Sequence, residues 1–202
     1  MKHRLAAFAR RRALQTGKSV GLWRRLEYPQ PDAWAAYLKK YGGFASFGER
    51  CAVDPMTLFT DPYLTRVGNN VRIAGAKVFG HDGSVNMINA AFGSKLDNVG
   101  PVNFHDNVFI GVETIVLPGV SIGPNCIIGA GSVVSRDVPP NCVAVGTPAK
   151  PVCTLDDYVQ RLTQRSQTWP WMSLVASRTG EFDPAVEDKL QELRVRYFFA
   201  DS

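Results

Sequence analysis

The 202-residue sequence predicts a mainly β fold, a parallel coil of short strands with α-helical segments at both ends. Three features point there: a six-residue period through the middle, a helical pattern beyond residue 153, and a basic leader whose first half reads as helix. The period comes first, because an internal repeat constrains a fold more than local propensity does. From Phe104 the chain divides into FHDNVF, IGVETI, VLPGVS, IGPNCI, IGAGSV and VSRDVP. Leading positions hold Phe104, Ile110, Val116, Ile122, Ile128 and Val134, all large and apolar. Fifth positions hold Val108, Thr114, Val120, Cys126, Ser132 and Val138, all small or β-branched. Neither the 3.6 period of a helix nor the 2.0 period of a lone strand produces this.

Each hexad supplies one short strand and one tight turn. Three hexads close a triangular coil, and coils stack at the strand spacing of about 4.8 Å, with the leading residues as inward ladders. The run VGNNVR, IAGAKV, FGHDGS, from Val67 to Ser84, fits a further coil, its one departure being Lys77 at a fifth position. Residues 51–66 read as a preceding, irregular coil. Gly111, Gly123 and Gly129, at second positions, read as turn residues needing positive φ. The expected organisation is a basic helical segment over 1–50, the coil over 51–153 with an excursion at 85–103, and a helical extension over 154–202.

In that extension Thr154 and Asp157 resemble a capping box opening a helix through about Arg165. Asp183 followed by Pro184 gives an N-cap and a proline at N1 of a last helix. A short helical piece is also expected around Trp34–Tyr41. The aromatics Trp23, Trp34, Tyr37, Trp169, Trp171, Phe198 and Phe199 are expected to pack on the coil and cover its ends, since open coil edges invite aggregation.

Charge is unevenly spread. Residues 1–28 hold eight basic side chains against Glu27 alone, so this segment carries +7 and the remainder −2 of the net +5. Such a leader can touch anionic lipid. No aromatic residues interleave with its cations as stacking platforms, so nucleic acid is not an expected partner. The N-terminus shows no apolar stretch with a small-residue cleavage site, and Cys51, Cys126, Cys142 and Cys153 form no C-x-x-C pair or zinc spacing. Reduced thiols and a cytoplasmic location, with weak membrane-surface contact as an option, are therefore expected.

The hexads together with the stretch IGAGSVVSRDVPPNCVAVGTPAKPV resemble the hexapeptide-repeat acyltransferase family, over roughly residues 51–153. The resemblance implies a left-handed parallel β-helix, an exception to the right-handed rule for parallel crossovers. It also implies acetyl-CoA as co-substrate, a homotrimer with active sites between subunits, and no metal. The pattern is nearest to small O- or N-acetyltransferases acting on sugars, nucleotide sugars and cell-surface polysaccharide precursors. In the family an excursion such as 85–103 walls a neighbour's active site. Ala130, Arg136 and Lys150 match residues lining the coenzyme A groove, and Cys153 stands where a further basic residue is common.

Of the three histidines, His3, His81 and His105, the family's catalytic place falls on His81. An imidazole suits removal of a proton from an attacking hydroxyl or amine near neutral pH. Asp54, Asp61 and Glu113 are the candidates for the acid that orients it. Asp82, next in sequence, holds the turn or contacts substrate. His105, at a second position, is a turn residue or a substrate-binding group reaching across the interface. A metalloenzyme of the γ-carbonic-anhydrase kind needs three histidines, and His3 in the leader leaves two. A non-catalytic assembly protein is the remaining alternative.

Overall fold

Hydrophobic ladders account for the observed architecture. The computed structural model describes residues 2–180 and 182–199, which divide into two compact units, 1–155 and 156–202. In the first unit, twelve short strands wind four coils before the chain turns back. They are β1 (Ser46–Phe47), β2 (Ala52–Val53), β3 (Leu58–Phe59), β4 (Thr65–Val67), β5 (Arg72–Ile73), β6 (Lys77–Val78), β7 (Val102–Phe104), β8 (Val108–Ile110), β9 (Ile115–Val116), β10 (Ser121–Ile122), β11 (Cys126–Ile128) and β12 (Val133–Val134). Every third strand pairs in parallel, giving a first face β1-β4-β7-β10, a second face β2-β5-β8-β11 and a third face β3-β6-β9-β12. β13 (Cys142–Val145) extends the second face in parallel, and β14 (Lys150–Thr154) closes that edge as its only antiparallel member. The fold is a left-handed parallel β-helix with flanking helices.

The register aligns three ladders of leading residues: Phe47–Val67–Phe104–Ile122, Val53–Ile73–Ile110–Ile128–Ala144 and Phe59–Val78–Val116–Val134. Ile110, Ile122 and Ile128 are wholly buried. Each such side chain stabilises the coil by about 1.5–3 kcal/mol, about twice a typical net hydrogen bond, so the interior and not the turns sets the phase. The coil starts at Ser46, earlier than the residue 51 boundary taken from the hexads.

Two expectations need correction. Lys77 pairs with Ile115 in the register and points outward to Glu113, with Nζ 2.6 Å from Oε2; the inward place belongs to the fully buried Ala76. Three residues separate Ile73 from Lys77 where four separate Ile110 from Ile115, so this corner is one residue short. The shortening spares the interior an unpaired ammonium, which is costly to bury. The second-position glycines also serve a different purpose. Gly111, Gly123 and Gly129 do not have positive φ. A Cβ on Gly111 would lie 2.4 Å from Ala130 N of the next coil, so close stacking is what demands glycine there. Positive φ falls instead on fourth positions, where Asn70, Asn107, Asn125 and Asn141 sit at 53–59°. Asparagine tolerates that region, and here Asn70 Nδ2 donates to Asn107 Oδ1 and Asn107 Nδ2 to Asn125 Oδ1, each at 2.9 Å.

The leader forms α1 (Lys2–Thr16), α2 (Val20–Leu26) and α3 (Pro31–Tyr41). Ala6, Ala9 and Ala13 make the buried stripe of α1, and their small size lets it lie close to α2. Trp23 is fully buried and donates from Nε1 to Glu27 Oε1 at 2.7 Å. Trp34 stacks on Tyr37 at 5.1 Å, and α3 packs against β2, covering the start of the coil. Phe44 fills the first coil from below, edge-on to Phe47 and Phe59 at 5.0 and 4.9 Å. The excursion begins with α4 (Ser84–Phe92), which buries none of its residues. All four cysteines are free, with Cys51, Cys126 and Cys142 buried.

The second unit contains the rest of α5 (Leu155–Gln167), then α6 (Met172–Ala176) and α7 (Pro184–Phe199). Asp183 caps α7 as expected, its Oδ1 accepting from Ala185 N at 3.0 Å. Trp171 is buried among Trp169, Tyr197 and Phe198, with ring centroids 5.3–5.8 Å away, so these rings find partners in one another. Among the described residues no helix is long and apolar enough to cross a membrane.

Candidate active site

Leaving the third face, each coil turns the same corner. After β3 comes Thr60-Asp61, after β6 Phe79-Gly80-His81, after β9 Leu117-Pro118 and after β12 Ser135-Arg136. Phe59 and Val78 are register partners, and Thr60 N donates to Val78 O at 3.0 Å. Asp61 is thereby set directly under His81. The His81 Nδ1 and Asp61 Oδ2 atoms lie 2.6 Å apart, a charge-assisted distance. Asp54 and Glu113, the other two candidates, are engaged elsewhere: Asp54 accepts from Tyr28 Oη at 2.6 Å, and Glu113 pairs with Lys77.

The Asp61 side chain is 11% exposed. Its burial disfavours charge, but hydrogen bonds from Thr60 and His81, with the His81 charge, outweigh burial and hold its pKa below the ordinary 3.8. Since the folded-state value is the lower one, Asp61 contributes stability above the unfolded pKa and loses it as pH falls through the folded pKa. Acid unfolding followed by circular dichroism should therefore show the stability gap between the parent and Asp61→Asn narrowing as pH falls below about 5. A gap independent of pH would contradict an ionised Asp61.

With Nδ1 facing Asp61, Nε2 is the ring nitrogen left outside that pair. The His81 side chain is 46% exposed and lines a groove of about 530 Å³. Leu117, Pro118 and Ser135 from the next two coils form its wall, and Asp82 and Asn98 form its rim. These last two also fasten the neck of the excursion. Asp82 Oδ1 accepts from Ser84 N at 2.9 Å, Oδ2 accepts from Asn98 Nδ2 at 3.2 Å, and Asp82 N donates to Asn98 O at 2.9 Å. The Ser84 N–H, ahead of the other contacts, holds the Asp82 carboxyl below its usual range.

Of the remaining expected site residues, Arg136 turns the same corner as His81, two coils on, beside the groove-lining Ser135. Ala130 turns the corner between the second and third faces. Lys150 begins β14, and its neighbour Ala149 donates from N to Val133 O at 2.8 Å, over the end of the third face. Neither Ala130 nor Lys150 lines the His81 groove. His105 turns a third corner, between the first and second faces, where its Nε2 lies 3.1 Å from Ser121 Oγ. It does not join His81 within one chain. Among the described residues no three His, Cys, Asp or Glu side chains gather as a metal-binding group. Thr60, Gly80 and Asn98 were not singled out by the sequence reading; the signal for the first two was their place beside Asp61 and His81 at one corner.

Residues 101–136 match the family described as bacterial transferase hexapeptide (six repeats). A Schizosaccharomyces pombe protein, an acetyltransferase by name, is 39% identical over 117 residues, 58% of this chain and 56% of that one. Protein CapG of Staphylococcus aureus is 40% identical over 116 residues, 57% of this chain and 67% of its own length. Galactoside O-acetyltransferase of Escherichia coli is 31% identical over 134 residues, 56% of this chain and 66% of that protein. The chain thus spans between about half and two thirds of the length of these relatives. Stacked hexads around a packed interior, with an outer groove at one corner, make this a β-helical architecture. The chain belongs to the hexapeptide-repeat acyltransferase family.

Proposed function

We propose that the chain transfers an acetyl group from acetyl-CoA to a hydroxyl or amino group of a sugar or nucleotide sugar, such as a cell-surface polysaccharide precursor. His81 is the general base and Asp61 orients it. The observation that carries this reading is the 2.6 Å His81–Asp61 pair at the edge of an open groove. Nε2 takes the proton of the acceptor as its oxygen or nitrogen attacks the thioester carbonyl carbon. The carbon–sulfur bond then breaks, and the imidazolium returns the proton to the departing sulfur. Asp61 stabilises the imidazolium and fixes the tautomer without being protonated itself.

Arg136 and Lys150 are exposed cations suited to the phosphates of coenzyme A. The turn at Ala130 suits its extended arm, since a Cβ on the adjoining Gly131 would meet nothing within 4 Å. Asp82 stands at the groove beside His81 and is assigned to acceptor contact. His105 can reach an acceptor only from a neighbouring subunit. A homotrimer is what the family resemblance implies, and the excursion, where Met87 is 62% and Phe92 78% exposed, leaves apolar side chains available to a neighbouring subunit. The reading places the chain in the cytoplasm, with exposed Lys2, Arg4, Arg11 and Arg12 on α1 available to anionic headgroups.

The test is incubation with acetyl-CoA and a panel of free, amino- and nucleotide-linked sugars, with thiol release and product mass recorded. An acetylated sugar from a trimeric protein, sized by light scattering, is the expected result. A monomer that acetylates no member of the panel would overturn it.

A further inference from the structure

We infer that Thr60 is a positioning residue, its hydroxyl clamping the Asp61 carboxylate and the Gly80 backbone, next to His81, into one unit across two coils. The inference rests on His81 as the base. Thr60 Oγ1 accepts from Gly80 N at 3.1 Å, and that bond commits its own hydrogen outward. The partner is Asp61 Oδ2, at 2.6 Å. The same oxygen receives His81 Nδ1 at 2.6 Å. One carboxylate oxygen therefore holds two donors, one from its own coil and one from the next. The hydroxyl is tied to the residue immediately before His81.

The approach is close enough to exclude any side chain on Gly80. A Cβ there would lie 2.6 Å from Asp61 Cβ and 2.9 Å from Oδ2. With both neighbours this near, the remaining freedom is rotation of the carboxylate about its own bond. Thr60 removes that freedom. Its donation also draws charge from Oδ2, which on its own would weaken the bond to His81. The positional effect dominates, because a hydrogen bond weakens steeply once its angle is lost. The outcome is a histidine that keeps its hydrogen on Nδ1 and its lone pair on Nε2, the form the base must have.

The tautomer can be read without turnover. Nitrogen NMR on the full chain labelled in its three histidines, with His81 assigned from the His81→Ala spectrum, reports which ring nitrogen carries hydrogen. Thr60→Val, equal in shape but without the hydroxyl, is expected to shift the tautomer ratio about fivefold toward Nε2–H, the equivalent of one ordinary hydrogen bond. Thr60→Ser should restore it. In an Asp61→Asn background Thr60→Val should add nothing, an outcome a packing role would not produce; Thr60→Ala serves in place of valine if that variant does not fold. His81 nitrogen signals unchanged in Thr60→Val overturn the inference about Thr60 alone. Unchanged turnover in His81→Ala would instead remove the reading beneath it, whatever the spectra show.

Discussion

Replacing His81 by alanine lowers acetyl transfer by about 100-fold or more while leaving the fold unchanged. The size follows from the chemistry: an acceptor hydroxyl attacking a thioester must lose its proton, and this corner offers no second base of suitable strength. Asp82 stands nearby, but its carboxyl is held below its usual range, chiefly by the Ser84 N–H, and is too weak a base for this proton. The fold is spared because the side chain is nearly half exposed and lies outside the ladders. Asp61→Asn should approach the same loss by a different route. An amide facing Nδ1 can present N–H where the carboxylate presented an acceptor, which turns the imidazole to the wrong tautomer. Initial rates of thiol release with any acceptor that the panel identifies provide the measurement, beside circular dichroism spectra of each variant. His81→Ala turning over like the parent would end the assignment of the base.

The sequence revealed the coil and left its interior registration hidden. Large leading residues and small fifth ones require a three-sided interior, so the ladders through Ile110, Val116 and Ile122 could be written down directly. Lys77 could not be placed, because losing one residue at a corner keeps the flanking aliphatics in view while moving everything between them. The orienting acid was hidden for a related reason. Three regular hexads bring a residue back to the same corner after 18 positions, but Asp61 and His81 are 20 apart. Two residues are added between Phe59 and Val67, where Pro62–Leu64 forms a 3₁₀ turn, the short corner after Ile73 removes one, and His81 stands one residue further past Val78 than Asp61 past Phe59. Counting in sixes therefore left Asp54, Asp61 and Glu113 equivalent, and only strand pairing separates them. The glycine signal was legible as a requirement for glycine, though not as to which requirement it was.

That distinction makes the largest stability prediction. Gly111→Ala is expected to cost about 3 kcal/mol or more, at or beyond the upper end of ordinary overpacking, because the atoms it would strike are backbone. Its Cβ would stand 2.4 Å from Ala130 N and 2.7 Å from Ala130 Cα, and neither can rotate away. Relief would require the third and fourth coils to separate. The Gly111 N to Ile128 O hydrogen bond at 2.8 Å and the inward contact of Ile110 with Ile128 resist that movement from either side. Gly119→Ala provides the control. Gly119 has φ +81° and open space where a Cβ would go, so alanine there pays only the left-handed backbone penalty of about 1–2 kcal/mol. Urea unfolding of the two variants should rank Gly111→Ala well below Gly119→Ala, with the backbone at Ala130 disturbed only in the former. The reverse order would mean that the coils tolerate a methyl group between them.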